Sequence, residues 1–350
     1  MPKMSIGGAQ RFVTNALEAL RTYPCEVALA IHNGNIELPV SRDFPVFTLG
    51  TSNTRWGYPA AILKLRRLIE AYRPDTLLSV GTTSNFQASI ALRSSGVKWI
   101  ARVGNPPHIT ERGIRTPVAT VLYRDAVRCI SPSEDLTATY QRRFPHLAEK
   151  FVTLPNCAGQ ESLVSSSNGF IENTSQPIII AVSRLVEQKR PDLILKTFIK
   201  VRQQTEAKLL VVGDGILRRW MEEEACRHGV EDDITFAGAV TDPGHWYRKG
   251  DIFLALSDYE GMSHSLIEAQ MQGMPAVATD CDFGNREVVV DGVTGFLVPP
   301  GDADAASAKM LLLLREHRLR TTMALAAEYH AQNNFSLSGF GEKLARILDL

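Results

Sequence analysis

The stretch that decides the fold is DIFLALSDYEGMSHSLIEAQMQGMPAVAT, residues 251–279. It opens on an apolar run of strand length that ends at Ser257 and passes through a short loop holding Glu260. From about Ser263 it continues as a helix, and a second apolar run follows at 275–278. A strand, a tight loop, a helix and another strand make a βαβ unit, whose two strands lie parallel. In such sheets ligands bind beyond the carboxyl ends of the strands, so the loop with Glu260 falls where chemistry is expected.

The same alternation extends to both sides. Strands are predicted at 178–182 and 208–212, near Ile234, and at 251–256 and 275–278, with helices at 191–203 and 217–228. In the last helix Leu217, Trp220, Met221 and Ala225 share one face, Glu222 and Glu223 point away, and Gly229 supplies the stop. The first half carries further apolar runs at 27–31, 76–80, 98–103 and 126–130. Between the halves, PNCAGQESLVSSSNGFIENTSQ (155–176) is rich in Ser, Asn and Gly and breaks the rhythm. The expected architecture is therefore α/β, with two Rossmann-like domains facing a cleft: residues 1–165, residues 166–334, and a helix at 335–350 returning toward the first domain. Only six residues precede the Gly7-Gly8 loop, so the first strand of the N-terminal domain is expected to be missing.

Composition bounds the function. The chain has 350 residues, 44% hydrophobic and 22% charged, enough apolar content for two buried cores. Lys plus Arg and Asp plus Glu number 38 each, which removes the broad positive field of a nucleic-acid binder and makes any anion site local. Cys25, Cys129, Cys157, Cys226 and Cys281 are widely spaced, with no zinc spacing. No apolar run approaches the roughly 20 residues that span a bilayer, and no export signal is visible at the N-terminus. A cytoplasmic protein is expected. The basic amphipathic segment ILKLRRLIEAYR (62–73) suits either a core-facing helix with a solvated edge or peripheral association at the inner face of the membrane.

Two constellations carry the chemistry. Glu260 and Glu268 stand as E-x7-E, one in the loop and one more than a turn into the helix, suited to sugar and ribose hydroxyls respectively. Between them the backbone N–H groups of His264, Ser265 and Leu266 form a helix N-terminus, which attracts phosphate through hydrogen bonds and dipole. In VSRLVEQKRPDL (182–193), Arg184 and Lys189 follow a strand as R-x4-K before a helix opened by Pro191. Cations and N–H groups at one sheet edge can stabilise the charge that builds on a departing diphosphate without a metal ion.

On these residues the second half resembles the group 1, or family 4, retaining glycosyltransferases of the GT-B fold, over about residues 178–302. The resemblance implies that Arg184 and Lys189 bind the donor's phosphates, that Glu268 holds the ribose, and that Glu260 contacts the transferred sugar. It extends to FAGAVTD (236–242), where Val240 is the expected base-pocket residue, and to NREVVVDGVTGFLVPPGD (285–302). GGAQR (7–11) resembles the family's glycine loop, placing Gly7 and Gly8 at the donor phosphate. The chain departs from the family at RVGNPPH (102–108), where many members carry a histidine directly after a strand; Asn105 and His108 are the candidates for the acceptor or catalytic loop.

The expected activity is transfer of a sugar from a UDP- or GDP-sugar to a saccharide or lipid-linked acceptor with retention, as in surface polysaccharide or glycan synthesis. Catalysis would rest on Glu260, Arg184 and Lys189. No cofactor and no metal are expected, the nucleotide sugar being a substrate, and no side-chain base is assigned. The triplets Asp280-Cys281-Asp282 and Asp302-Ala303-Asp304 leave a metal-dependent variant open. An inactive nucleotide-binding module and a GT-B-type sugar-nucleotide epimerase are the rivals.

Overall fold

The computed structural model describes residues 7–32, 44–50, 57–110, 122–159 and 176–350. These pack as two units, residues up to Pro155 with Ser338–Leu350, and Asn156–Leu337. Residues 1–6, on which the missing first strand turns, lie outside the described residues, as do 160–175 of the expected linker.

In the first unit, helix α1 (Gly8–Leu20) precedes the short parallel pair β1 (Leu29–Ile31) and β2 (Val46–Thr48). Helix α2 (Tyr58–Tyr72) leads into β3 (Thr76–Val80), followed by α3 (Thr82–Ala91), β4 (Lys98–Arg102), α4 (Pro107–Thr110), β5 (Arg128–Ser131), α5 (Glu134–Arg143) and β6 (Phe151–Thr153). Strands β3 to β6 form a parallel sheet in sequence order. β2 and β6, each three residues long, carry too little pattern to be read from sequence. The amphipathic segment 62–73 lies in α2, where Ala61 and Ile69 are buried, Leu63 is 51% exposed, and Arg66 pairs with Glu70 at the surface. Among the described residues no helix is long and apolar enough to cross a membrane.

The second unit holds a six-stranded parallel sheet. Its chain order is β7 (Ile178–Val182), α6 (Pro191–Arg202), β8 (Lys208–Val212), α7 (Arg218–Arg227), β9 (Ile234–Gly238), α8 (Gly244–Tyr247) and β10 (Ile252–Ala255). There follow α9 (His264–Met271), β11 (Ala276–Thr279), α10 (Asn285–Val288), β12 (Gly295–Val298), α11 (Ala303–Arg315) and α12 (His317–Asn334). Spatially the strands run β12-β11-β10-β7-β8-β9, with the β7 and β10 edges adjacent at the centre. The inner strands are nearly continuous apolar runs because both faces are covered. One face packs on Leu193, Phe198, Met221 and Met310, the other on Leu266, Ile267, Met271 and Tyr247. Each fully buried Leu, Ile or Phe adds about 1.5–3 kcal/mol over its exposed state.

The last helix, α13 (Leu337–Leu348), falls almost entirely in the first unit. Its Phe340 ring meets the Phe12 ring of α1 edge-on at 5.6 Å, and at Gly341 an added Cβ would stand 3.3 Å from Ala19 Cβ, so α13 lies close against α1.

Candidate active site

The site in the second unit begins where β7 and β8 end. Ser183 N–H donates to Val212 O at 3.0 Å, and Leu185 N–H to Asp214 O at 2.9 Å, which draws the two following loops together. That approach requires glycine at 213: its φ is +138°, and an added Cβ would stand 1.9 Å from Ser183 O. The β7 loop then makes a single 3-10 turn at Glu187–Lys189 and enters α6 through Arg190, held at φ 50° in the left-handed region. Arg190 bonds both Asp192 and Asp258 at 2.8 Å, and these bonds raise its pKa.

Three consecutive residues of this loop reach across to the loop after β10. Gln188 O accepts from Asp258 N–H, and Gln188 Nε2 donates to Tyr259 O, each at 2.9 Å. Lys189 Nζ donates to Glu260 Oε1, with the two side chains 14% and 9% exposed. Arg190 completes the set through Asp258. Ser183, Lys189, Ser257, Glu260, Ser263 and Ser265 together line a small pocket at these strand ends.

Helix α9 starts beside this pocket. Ser263 is its N-cap, and its Oγ accepts from Leu266 N–H at 3.4 Å. The open-donor expectation therefore needs a correction at Leu266, whose N–H is capped by a side chain that closes part of the helix end. The N–H of Ser265 has no acceptor among the described residues, while its hydroxyl exchanges a bond with Ser263 at 3.1 Å. His264 is half-buried at the first helical position. Glu260 and Glu268 are 7% and 3% exposed, so neither is a solvated surface carboxylate, and Glu268 Oε2 accepts from the Tyr247 hydroxyl at 2.9 Å.

Residues that the sequence did not single out hold the Glu260 loop in place. Thr279 Oγ1 donates to Ser257 O at 2.6 Å, and Asn285 Nδ2 to Thr279 O at 2.9 Å. Asn156 Nδ2 donates to Met262 O at 2.9 Å. Gly284, at φ +66°, lets the β11 loop touch the main chain of Gly261, where an added Cβ would sit 2.4 Å from the carbonyl oxygen. Burial pushes the Cys281 thiol up to about 12, with the charge of Glu260 adding to the effect. Such side-chain-to-main-chain bonds leave no periodic trace in sequence; Asn and Thr near strand ends are the only hint.

The other expected site residues fall as follows. Arg184 is exposed, and its guanidinium has no hydrogen-bond or ion-pair partner among the described residues. Val240 is half-buried just after β9, packed on the core cluster that holds Leu266 and Tyr247. Gly7, Gly8, Asn105 and His108 belong to the other unit, so the expected residues do not share one unit. Gly7 caps α1 with an extended backbone, and Gly8 is its first residue. Asn105 O accepts from the Tyr140 hydroxyl at 2.9 Å; His108 lies in α4, its side chain outside the described residues. In the D-x-D triplets Asp280 bonds Arg286, Asp302 caps α11 through Ala305 N–H, and Asp304 pairs with Lys200.

Comparison with known proteins accords with this geometry. Residues 6–158 match the family model Glycosyltransferase Family 4, and residues 166–330 match Glycosyl transferases group 1. The Salmonella typhi Vi polysaccharide biosynthesis protein VipC/TviE is 32% identical over 160 residues, 45% of this chain and 28% of that protein. The GDP-mannose-dependent alpha-(1-6)-phosphatidylinositol monomannoside mannosyltransferase of Mycolicibacterium smegmatis is 28% identical over 184 residues, 49% of this chain and 48% of that enzyme. This chain thus spans about a quarter of the first relative and about half of the second. Anabaena Alr3699/HepE, solved in complex with UDP-glucose, superposes with a TM-score of 0.84 at 17% identity, covering 100% of this chain and 98% of that one. Two matched Rossmann-like halves define the fold class. The chain has the GT-B fold, and each half matches a glycosyltransferase family model.

Proposed function

We propose that the chain transfers a glycosyl group from a UDP- or GDP-sugar to a saccharide or lipid-linked acceptor, with retention of configuration and without a metal ion. The observation that carries this is the grouping of Lys189, Glu260, Ser263 and Ser265 around one pocket at the carboxyl ends of β7 and β10, with the N-terminus of α9 beside it. Bound UDP-glucose in the Anabaena neighbour and GDP-mannose use by the mycobacterial relative support a nucleotide-sugar donor while leaving the base open. Polysaccharide-synthesis relatives support a glycan acceptor.

In this scheme the bond between the anomeric carbon and the diphosphate oxygen breaks, its electron pair leaving with the diphosphate. Arg184, Lys189 and the α9 N–H groups take up the growing negative charge. An acceptor hydroxyl bonds to the anomeric carbon from the same face, and its proton passes to the departing diphosphate oxygen. Glu260 orients sugar hydroxyls, Glu268 the ribose, and Val240 borders the base. The family resemblance also gives Gly7 and Gly8 a role at the donor phosphate, and Asn105 and His108 a role in an acceptor loop.

The test is thermal stabilisation by UDP, GDP, ADP and dTDP, each with and without EDTA, followed by anomer-resolved product analysis. Ligand at 100 times its Kd adds about 2.7 kcal/mol. Selective stabilisation that survives EDTA is expected; absence of any shift, or stabilisation abolished by EDTA, would overturn the metal-free donor site.

A further inference from the structure

The expected donor machinery is split between two loops, and what keeps them in register is neutral. Lys189 pairs with Glu260, but an arriving diphosphate competes for the same ammonium, so that pair cannot fix loop spacing while ligand is bound. The Arg190–Asp258 pair has side chains 29% and 45% exposed, where water and salt screen it. Gln188 differs from both. Its carbonyl takes the Asp258 N–H and its amide donates to Tyr259 O, main-chain groups of the two residues directly before Glu260, without using charge. Lys189 follows Gln188 in the chain, so the clasp sets the heights of cation and carboxylate together.

We propose that Gln188 is a positioning residue: it clasps the Asp258–Tyr259 main chain so that Lys189 and Glu260 keep one geometry whether or not their mutual ion pair is intact. This rests on the donor-site reading above. The consequence is that Gln188 acts on turnover through Glu260 without touching substrate.

The deciding variants are Gln188→Met, which keeps length and loses the amide, Glu260→Gln, and the pair together. Gln188→Met is expected to lower kcat by about 10- to 100-fold, the scale of a misplaced reacting group, while nucleoside diphosphate Kd moves less than about threefold. In the double variant the two effects should be strongly non-additive, because one acts through the other. Additive effects, or an unchanged kcat, would overturn the proposal. Hydrogen exchange supplies a readout independent of activity: peptides covering 257–263 should exchange faster in Gln188→Met while β7 and β8 stay protected. Unchanged exchange there, or unfolding of the whole unit, overturns the clasp. A wild-type protein that neither binds nucleotide nor transfers sugar would sink the functional reading alone, and the exchange result would still decide the role of Gln188.

Discussion

The hydroxyl of Tyr247 donates to Glu268 Oε2 at 2.9 Å, with the two residues 1% and 3% exposed. Tyr247 ends the short helix α8 and its ring leans on Phe253 of β10, so a strand, α8 and α9 together fix one carboxylate. A buried carboxylate held in this way keeps its rotamer without a ligand, which is the preorganisation a ribose-binding group needs.

Tyr247→Phe keeps the ring packing and removes that bond. A hydrogen bond to a charged acceptor contributes about 1.5–3 kcal/mol, so urea unfolding should report a loss of that order. Nucleoside diphosphate affinity should fall with it, more for ribose than for 2′,3′-dideoxyribose forms. Equal losses for both sugars would separate Glu268 from the ribose.

Arg184 and Lys189 should respond differently to alanine, although both were read from one motif. Arg184 is exposed and its guanidinium has no partner among the described residues, so Arg184→Ala should change stability by less than about 0.5 kcal/mol while weakening diphosphate binding. Lys189→Ala leaves Glu260 buried without its cation, and breaking a buried pair costs about 3–5 kcal/mol. Thermal unfolding of the two variants beside nucleotide titrations checks this. Equal stability losses would contradict the burial difference.

The contrast shows what the sequence made legible. Strands 178–182 and 208–212 were readable to the residue because a parallel strand buried inside a sheet is a nearly unbroken apolar run. The R-x4-K and E-x7-E segments could be set at strand ends for the same reason. Their direct joining, Lys189 to Glu260 across 71 positions, could not, since nothing in either segment names its partner. Tyr247, Asn156 and Gln188 were invisible because the bonds that place the site are individual hydrogen bonds to distant residues, and periodicity records only burial. β12 was lost as a strand because four residues between turns carry no alternation to count.

Glycine should prove irreplaceable at two points behind the pocket. At Gly213 a methyl group would meet Ser183 O, and at Gly284 it would meet the Gly261 carbonyl and Met262 Cα, all rigid main chain. Positive φ adds strain of about 1–3 kcal/mol for a non-glycine residue. Gly213→Ala and Gly284→Ala should each lower the melting temperature and weaken nucleotide binding, whereas Gly229→Ala, also at positive φ but in open space, should cost only its backbone strain. Indistinguishable melting temperatures for the three would exclude the close approach of the loops.

Thiol chemistry offers a check on the packing beneath Glu260. Burial pushes Cys129 and Cys281 up to about 12, and for Cys281 the Glu260 charge acts in the same direction. At pH 8 a thiol of that pKa is thiolate in only about one molecule in ten thousand, and the thiolate is the reactive form. Cys226 is exposed on α7 and should be alkylated first by iodoacetamide, with Cys25, half-buried and raised by desolvation, following slowly. Cys129 and Cys281 should label only on unfolding. Gly284→Ala, by forcing the β11 loop off Gly261, should bring Cys281 forward in that order while leaving Cys129 unchanged, since Cys129 sits in the other unit. Mass-spectrometric timing of each labelled peptide decides it: early labelling of Cys281 in the wild type would mean that the packing near Glu260 is open to solvent and that Glu260 lacks the dry setting assigned to it.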